Sequence, residues 1–354
     1  MKKILIIGSL GYLGSALFLK LKKKYDVTGV DTHFFSQAIL SNVELNDKII
    51  KLDARKIDET FIKNFEVVIL LAGISNDPID SLNENDVYKP TFRYAVKLAN
   101  ICKRNYIKFI FPSSCSIYGF NKNIVNEESN PNPLTGYSKN KLEIEKYLIS
   151  ISNDKFKPII LRFATIYGLS PRMRFDIVIN MLCGMAITKN KIILNSNGKS
   201  WRPHLNIEDA LGTIEYSIEF NKSEKGPLIL NVGQNSDNVE IIEIAKIISK
   251  IVNCDIEFLD KSKLDQNELF NDRKILKSND VRSYRVNFDK IKQIYTNFKF
   301  EYNVFNGIND LLLKLKLIKL NEKLFLKKEF YRLQQLEYLY KSGLVNKNLE
   351  SKND

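Results

Sequence analysis

Histidine occurs only twice in these 354 residues, at His33 and His204, and cysteine four times, at Cys102, Cys115, Cys183 and Cys254. The cysteines are widely and irregularly spaced, with no CxxC pair and no histidine partners. That excludes the ligand spacing of a zinc site and a disulfide framework, so free thiols and no metal are expected. No uninterrupted apolar stretch reaches the roughly 18 residues that a membrane-spanning helix needs. The N-terminal Met1-Lys2-Lys3 leads into an apolar run that breaks at Gly8, too short for a secretory signal. A soluble, cytosolic protein without an integral membrane segment is the expectation. The formal net charge of +13 suits a nucleic acid, an acidic membrane surface or a phosphorylated small molecule. Zinc spacing, RNP-type aromatics and a concentrated basic arm are all missing, and the lysines are scattered along the whole chain, so a nucleic-acid role is not expected.

With 44% apolar residues the chain can bury one or two sizeable cores. Short apolar runs bounded by Gly, Pro, Asn or Asp predict buried parallel strands at 3–7, 27–30, 48–52, 67–72, 108–111 and 159–163. Helical periodicity lies between them, notably over 84–103 and 136–150. This alternation predicts an α/β fold, a Rossmann-like doubly wound parallel sheet. Beyond Phe163 the pattern loosens. Strand signals at 192–194, 227–232 and 255–259 alternate with helices at 175–187, 208–220, 239–252 and 305–320, which predicts a smaller α/β substrate-binding lobe.

The stretch "GSLGYLG", Gly8 to Gly14, follows the first predicted strand and opens a helix. Glycines also mark ordinary tight turns. Here the absent side chains let the backbone approach a pyrophosphate, and the helix N-terminus offers unpaired N–H groups and a positive dipole end. Asp31 ends the second strand, near the offset at which an acid accepts both ribose hydroxyls. A 2′-phosphate would be repelled there, so NAD is expected rather than NADP.

The fifth strand runs into Ser113-Ser114-Cys115-Ser116-Ile117-Tyr118-Gly119, and Tyr137 and Lys141 follow at the start of a helix. Four residues apart, these two share one helical face. An ammonium near a phenol lowers its pKa and prepares it to exchange a proton with a sugar hydroxyl or ketone. A serine at the end of a neighbouring strand can bond the same substrate oxygen. A Tyr-x-x-x-Lys pair by itself is also what a half-buried tyrosine beside a solvated lysine looks like; the order of all three motifs gives the pair its meaning.

Over about residues 1 to 310 the chain resembles the extended short-chain dehydrogenase/reductases, in particular the NAD-dependent nucleotide-sugar epimerase/dehydratase family. Besides GSLGYLG, Asp31 and "YSKNK", the resemblance rests on "LDARKID", "LLAGISNDP", "FPSSCSIYGF", "NPLTGYSKNK", "LRFATIYGLSPRMRFDIVIN", "GKSWRPHLNIEDA" and "DVRSYRVNFDKI". It implies Ser114 as the catalytic hydroxyl, Tyr137 as general acid/base and Lys141 as its tuner. It further implies a cofactor site of Gly8, Gly11, Tyr12, Leu13, Gly14, Asp31, Asp53, Ala54, Leu71, Ala72 and Gly73, with Tyr137 and Lys141. Asp53 would hold the adenine. For the nucleotide-diphosphate sugar it implies Ser116, Asn180, Arg202 and Arg282, where paired guanidinium forks match phosphate oxygens. Arg172 and Arg174 are further candidates, or surface arginines flanking Met173. His204 matches no catalytic histidine and reads as a packed or solvated imidazole.

The departures narrow the chemistry. Family dehydratases carry an acidic pair directly after the catalytic hydroxyl, where this chain has Cys115 and Ser116. Enzymes that epimerise C3 and C5 before reduction use a cysteine where Ser116 stands. Cys115 reads as a small buried neighbour of Ser114, since thiolate activation needs a basic partner. What remains is hydride exchange at a sugar carbinol. The expectation is an NAD-dependent nucleotide-sugar epimerase acting at C4 through a 4-keto intermediate; the alternative is a 4-ketoreductase or 4-dehydrogenase with the same Ser, Tyr and Lys. A 4,6-dehydratase, or a non-catalytic NAD-sensing protein, ranks below these, the latter because the triad is intact. Surface-polysaccharide precursor synthesis follows from the resemblance alone.

The expected organisation is an NAD-binding domain at 1–170 with returns at about 206–240, a sugar-nucleotide lobe at 171–205 and 241–310, and a C-terminal helical extension at 311–354. Residues 311–326 have amphipathic spacing compatible with a membrane surface, but packing back onto the substrate lobe or a neighbouring subunit is the expectation, with 346–354 frayed. The helices over 84–103 and 136–150 resemble those that pair in family dimers, so a homodimer is expected.

Overall fold

The computed structural model describes residues 1–40, 49–75, 84–221, 226–259 and 282–352. Seven strands form one parallel sheet: β1 (Lys3–Ile7), β2 (Asp26–Asp31), β3 (Ile49–Lys51), β4 (Val67–Leu70), β5 (Lys108–Ser114), β7 (Ile159–Phe163) and β11 (Leu228–Val232), in the order β11-β7-β5-β4-β1-β2-β3. Period-2 geometry assigns alternate residues to opposite faces. Ile4, Ile6, Val67, Ile69 and Leu161 join one apolar cluster, and Leu5, Ile7, Val68, Leu70 and Ile160 the other. The first cluster is closed by helices α1 (Tyr12–Leu21) and α6 (Ile207–Glu219), the second by α2 (Glu59–Ile62), α3 (Glu84–Arg104) and α4 (Gly136–Ile151). Both faces are covered, so the strands can be apolar throughout.

The strand order reverses between β1 and β4, and ligands of open α/β sheets bind at such a switch point, beyond the carboxyl ends of the strands. The backbone N–H groups of Leu71 and Ala72 both donate to the Ile7 carbonyl, at 2.8 and 2.7 Å, which holds the two strand ends side by side. Ser114 ends β5 at the same edge of the sheet.

The smaller sheets arise from β6 (Phe120–Val125), β8 (Thr165–Tyr167), β9 (Lys191–Leu194), β10 (Trp201–Asn206), β12 (Asn238–Glu240), β13 (Asp255–Phe258) and β14 (Ser283–Val286), paired as β12-β10-β8, β13-β9 and β14-β6. Helices α5 (Val178–Lys189), α7 (Ile241–Val252) and α8 (Asp289–Ile294) accompany them. The helix expected from Phe175 starts only at Val178, and the Phe175 N–H bonds the Phe330 carbonyl across the fold at 3.0 Å.

Helix α9 (Val304–Leu317) is capped by Asn303 and runs unbroken through residues 310 and 311, so no element boundary falls there. It is followed by α10 (Glu322–Phe325), a 3-10 turn at Lys328–Phe330 and α11 (Arg332–Lys341). Leu311, Leu312 and Leu315 are buried in the main core. Phe325 and Phe330 meet the Phe175 ring edge-on, with centroids 4.9 and 5.5 Å away. The apolar face therefore packs back on the protein rather than standing free for a membrane. The tail does not fray as expected: Val345 pairs with Ser351, Leu349 is buried, and Asn346 donates to the Glu350 carbonyl at 3.0 Å. Residues 353 and 354 lie outside the described residues.

Candidate active site

The glycine turn has the shape a dinucleotide needs. Gly8 adopts φ +94°, a region that side chains disfavour. A Cβ there would lie 2.5 Å from the Ala72 nitrogen, and one on Gly14 would lie 2.0 Å from the Gly8 carbonyl oxygen. Gly11 is the N-cap of α1 and brings no capping side chain, so the first N–H groups of that helix remain for an anion. The Asp31 carboxylate closes the turn from the side, accepting from the N–H of Leu10 at 2.9 Å and of His33 at 2.8 Å. Burial raises its pKa. The Tyr12 side chain turns inward instead. Its hydroxyl donates to the Gly168 carbonyl at 2.6 Å, and burial lifts its pKa well above the usual phenol range.

Asp53 has both carboxylate oxygens engaged by Arg55, whose guanidinium also donates to the carbonyls of Asn348 and Leu349, at 2.9 Å each. The residue expected to hold adenine is thus tied to the C-terminal tail, a link between positions nearly 300 residues apart. Ala54 is buried beside it.

Thr135 caps α4 in a reciprocal capping box with Ser138, which fixes where the helix begins and hence where Tyr137 and Lys141 project. Lys141 is buried, and its ammonium donates to the Pro112 carbonyl of β5 at 2.7 Å. It lies 4.5 Å from the Phe111 ring centroid and 5.8 Å from that of Tyr137. Desolvation lowers its pKa to about 8, with Glu145 pulling the other way. Ser114 stands two residues beyond Pro112 on the same strand and caps the 3-10 turn Cys115–Tyr118, accepting from the Ser116 N–H at 3.1 Å. The packing of α4 on β5 therefore seats Lys141, with Tyr137 beside it, on the strand that ends in Ser114.

Behind them lies a buried polar network that sequence reasoning missed. Ser113 donates to Glu145, Glu145 and Arg162 form an ion pair at 2.7 Å, and Arg162 donates to the Tyr118 hydroxyl at 2.9 Å. Glu145 sits four residues after Lys141 and is buried with it on one face of the helix, and that spacing was its one available signal. Cys115 is buried with its sulfur 3.0 Å from the Arg162 carbonyl oxygen, and burial pushes its thiol far up. Both features disfavour the thiolate that a nucleophile needs.

The Arg202 guanidinium donates to the Arg282 backbone carbonyl and stacks 5.5 Å from the Tyr284 ring centroid, a contact of one side chain with the other residue's main chain. The Ser116 hydroxyl is buried without a partner among the described residues. Asn180 is a correction. It is fully buried, with its oxygen accepting from the Gly168 N–H at 2.9 Å and its amide donating to the Arg174 carbonyl and the Tyr12 hydroxyl at 3.0 and 3.2 Å. Every polar atom of that side chain is spent on structure, so it does not face a ligand. Arg174 is likewise engaged, paired with Asp176 at 2.8 Å. His204 is completely buried, and desolvation takes its pKa down to about 3, which keeps it neutral.

A glycine cradle at a switch point, with Ser, Tyr and Lys at the next strand end, defines a Rossmann-fold enzyme that uses a dinucleotide. Residues 4–233 match the NAD dependent epimerase/dehydratase family, and the chain belongs to that family. It is similar to a dTDP-D-glucose 4,6-dehydratase of Dictyostelium discoideum, with 28% identity over 72% of this chain and 62% of that protein. It is also similar to YtcB of Bacillus subtilis (strain 168), described as an uncharacterized UDP-glucose epimerase, with 27% identity over 70% of this chain and 82% of the relative. The chain spans 41% and 62% of the length of two of the curated relatives it matches. Among solved structures, the UDP-glucuronic acid 4-epimerase of Bacillus cereus with UDP-glucuronic acid and NAD superposes with a TM-score of 0.72 at 23% identity, covering 89% of this chain and 99% of that one. The chain is an NAD-dependent enzyme of the extended short-chain dehydrogenase type.

Proposed function

We propose that the protein is a nucleotide-sugar 4-epimerase working through a 4-keto intermediate. The observation that carries this reading is the seating of Lys141, with its ammonium on the Pro112 carbonyl and 5.8 Å from the Tyr137 ring, two residues along β5 from Ser114. A charged ammonium there stabilises the Tyr137 phenolate, which takes the proton from the sugar 4-hydroxyl. Ser114 bonds the same oxygen and steadies it as it becomes a ketone. NAD, when bound, supplies the hydride acceptor and donor. Tyr137 returns the proton after the keto sugar has turned its other face.

The dehydratase relative favours water elimination instead, but the two positions directly after Ser114 carry no carboxyl for it. Cys115 holds its thiol proton against the Arg162 carbonyl, and Ser116 has no carboxyl. The named relatives and the solved neighbour support UDP-hexoses and UDP-hexuronic acids as the first substrates to try. Incubating the enzyme with these, without added cofactor, and following the C4 configuration by NMR tests the reading. Turnover is expected in wild type and a loss of at least a thousandfold in Tyr137→Phe, of the order expected when the general acid/base is removed. Unchanged turnover in that variant sinks the assignment. A homodimer through α3 and α4 belongs to the same proposal, with a solution mass about twice the chain's 41.0 kDa as its check.

A further inference from the structure

Arg332, the first residue of α11, is 5% exposed, and neither of its terminal guanidinium nitrogens has a hydrogen-bond partner among the described residues. Its guanidinium stacks on the Phe35 ring, 3.8 Å from the centroid. Asp31 and Asp176 act on it electrostatically, as do Arg172 and Arg174. The two carboxylates are already committed: Asp176 holds Arg174 and the Arg332 backbone N–H, and Asp31 accepts from Leu10 and His33. Arg172, also buried, has an Nε without a partner. The result is a positive cluster, out of water and short of anions, beside the acid expected at the cofactor ribose. Leaving a buried cation unpaired is costly, and the cost is met when an anion enters.

The rest of the segment packs nearby. Leu336, Val345 and Leu349 form an apolar cluster with Tyr88, against which Phe34, Phe35, Ile74 and Tyr137 pack. Gln335 donates to the Phe34 carbonyl at 3.0 Å, and the carbonyls of Asn348 and Leu349 rest on Arg55 beside Asp53. Residues 332–349 thus border both acids expected at the adenosine half of the cofactor, and Arg332 is the cation the segment carries inward.

We infer that Arg332 binds a phosphate of the dinucleotide cofactor, so that the C-terminal segment is a strap completing the cofactor site. The inference rests on the NAD site described above and assigns a role to residues beyond the 4–233 family match. A guanidinium donates two parallel hydrogen bonds to phosphate. That phosphate is either the pyrophosphate or, were the chain to take NADP, a 2′-phosphate.

The test uses full-length, cofactor-free wild type, Arg332→Gln and Arg332→Lys. Dissociation constants for NADH and NADPH come from nicotinamide fluorescence, and those for adenosine, which has no phosphate, from calorimetry. Arg332→Gln is expected to weaken dinucleotide binding roughly tenfold or more, with part of the loss recovered in Arg332→Lys and adenosine binding unchanged. Equal losses for NADH and NADPH assign the contact to the pyrophosphate, and a loss confined to NADPH assigns it to the 2′-phosphate. Undiminished dinucleotide affinity overturns the inference, as does an equal loss for adenosine, which would make Arg332 a wall of the pocket. Should Arg332→Gln fail to fold, Arg332→Lys carries the comparison, because it keeps the charge and loses the fork. Wild type that binds neither dinucleotide contradicts the cofactor assignment itself, a separate outcome.

Discussion

Lys141 carries a conflict that can be measured. In the unfolded chain it keeps its proton up to the ordinary 10.5, whereas in the folded protein burial lowers its pKa to about 8. Between those values the unfolded state binds more protons, so stability rises with pH across the window. Below pH 8 the fold bears the whole cost of a desolvated ammonium. Lys141→Met keeps the volume and removes the charge, so at pH 7 the cofactor-free variant should be more stable than wild type by about 1–3 kcal/mol while losing turnover. The difference should close as pH rises past 10. Thermal unfolding of both proteins at pH 7 and 10 checks this, and a pH-independent difference would contradict it. At this scale Tyr137 and Lys141 were legible in the sequence because a spacing of four on a helix guarantees a shared face. Arg55 and Arg332 were not, since the carbonyls of Asn348 and Leu349 that Arg55 reaches and the Phe35 ring under Arg332 lie nearly 300 residues off in the chain, and nothing local marks either contact.

The elements around the site are held by the Glu145–Arg162 pair, which joins α4 to β7 with side chains almost wholly out of solvent. Removing one member strands the other, at about 3–5 kcal/mol, while replacing both by apolar residues costs far less. Glu145→Leu and Arg162→Leu are therefore expected to lower the urea midpoint strongly, and the double variant to recover much of the loss. Additive losses would contradict this account. The central strands were legible for the same physical reason that makes them central: strands buried on both faces read as continuous apolar runs such as Val67–Leu70. The strands β6, β8, β10, β12 and β14 were not legible. β6 is largely polar and exposed, β10 contains Pro203 and His204, and three-residue strands such as β8 carry no period.

For the whole molecule, the switch point between β1 and β4 locates the cofactor crevice, and the C-terminal segment packs on Phe34 and Phe35 beyond β2 and on Ile74 beyond β4. The fold class and the crevice were present in the alternation of runs and in GSLGYLG. The path of residues 318–352 was not, because an amphipathic helix states that it has an apolar face and not what covers that face. Here Phe325, Phe330 and Leu336 bury that face against the protein's own surface. The central claim is that oxidation and reduction happen at one carbon of one bound sugar, without exchange of cofactor. The most direct measurement uses a substrate nucleotide sugar deuterated at C4, with unlabelled NADH added to the solution. Retention of the deuterium at C4 of the epimer is the predicted result; loss of the label to the added cofactor pool, or release of an oxidised sugar, would contradict it and make the enzyme a ketoreductase or dehydrogenase.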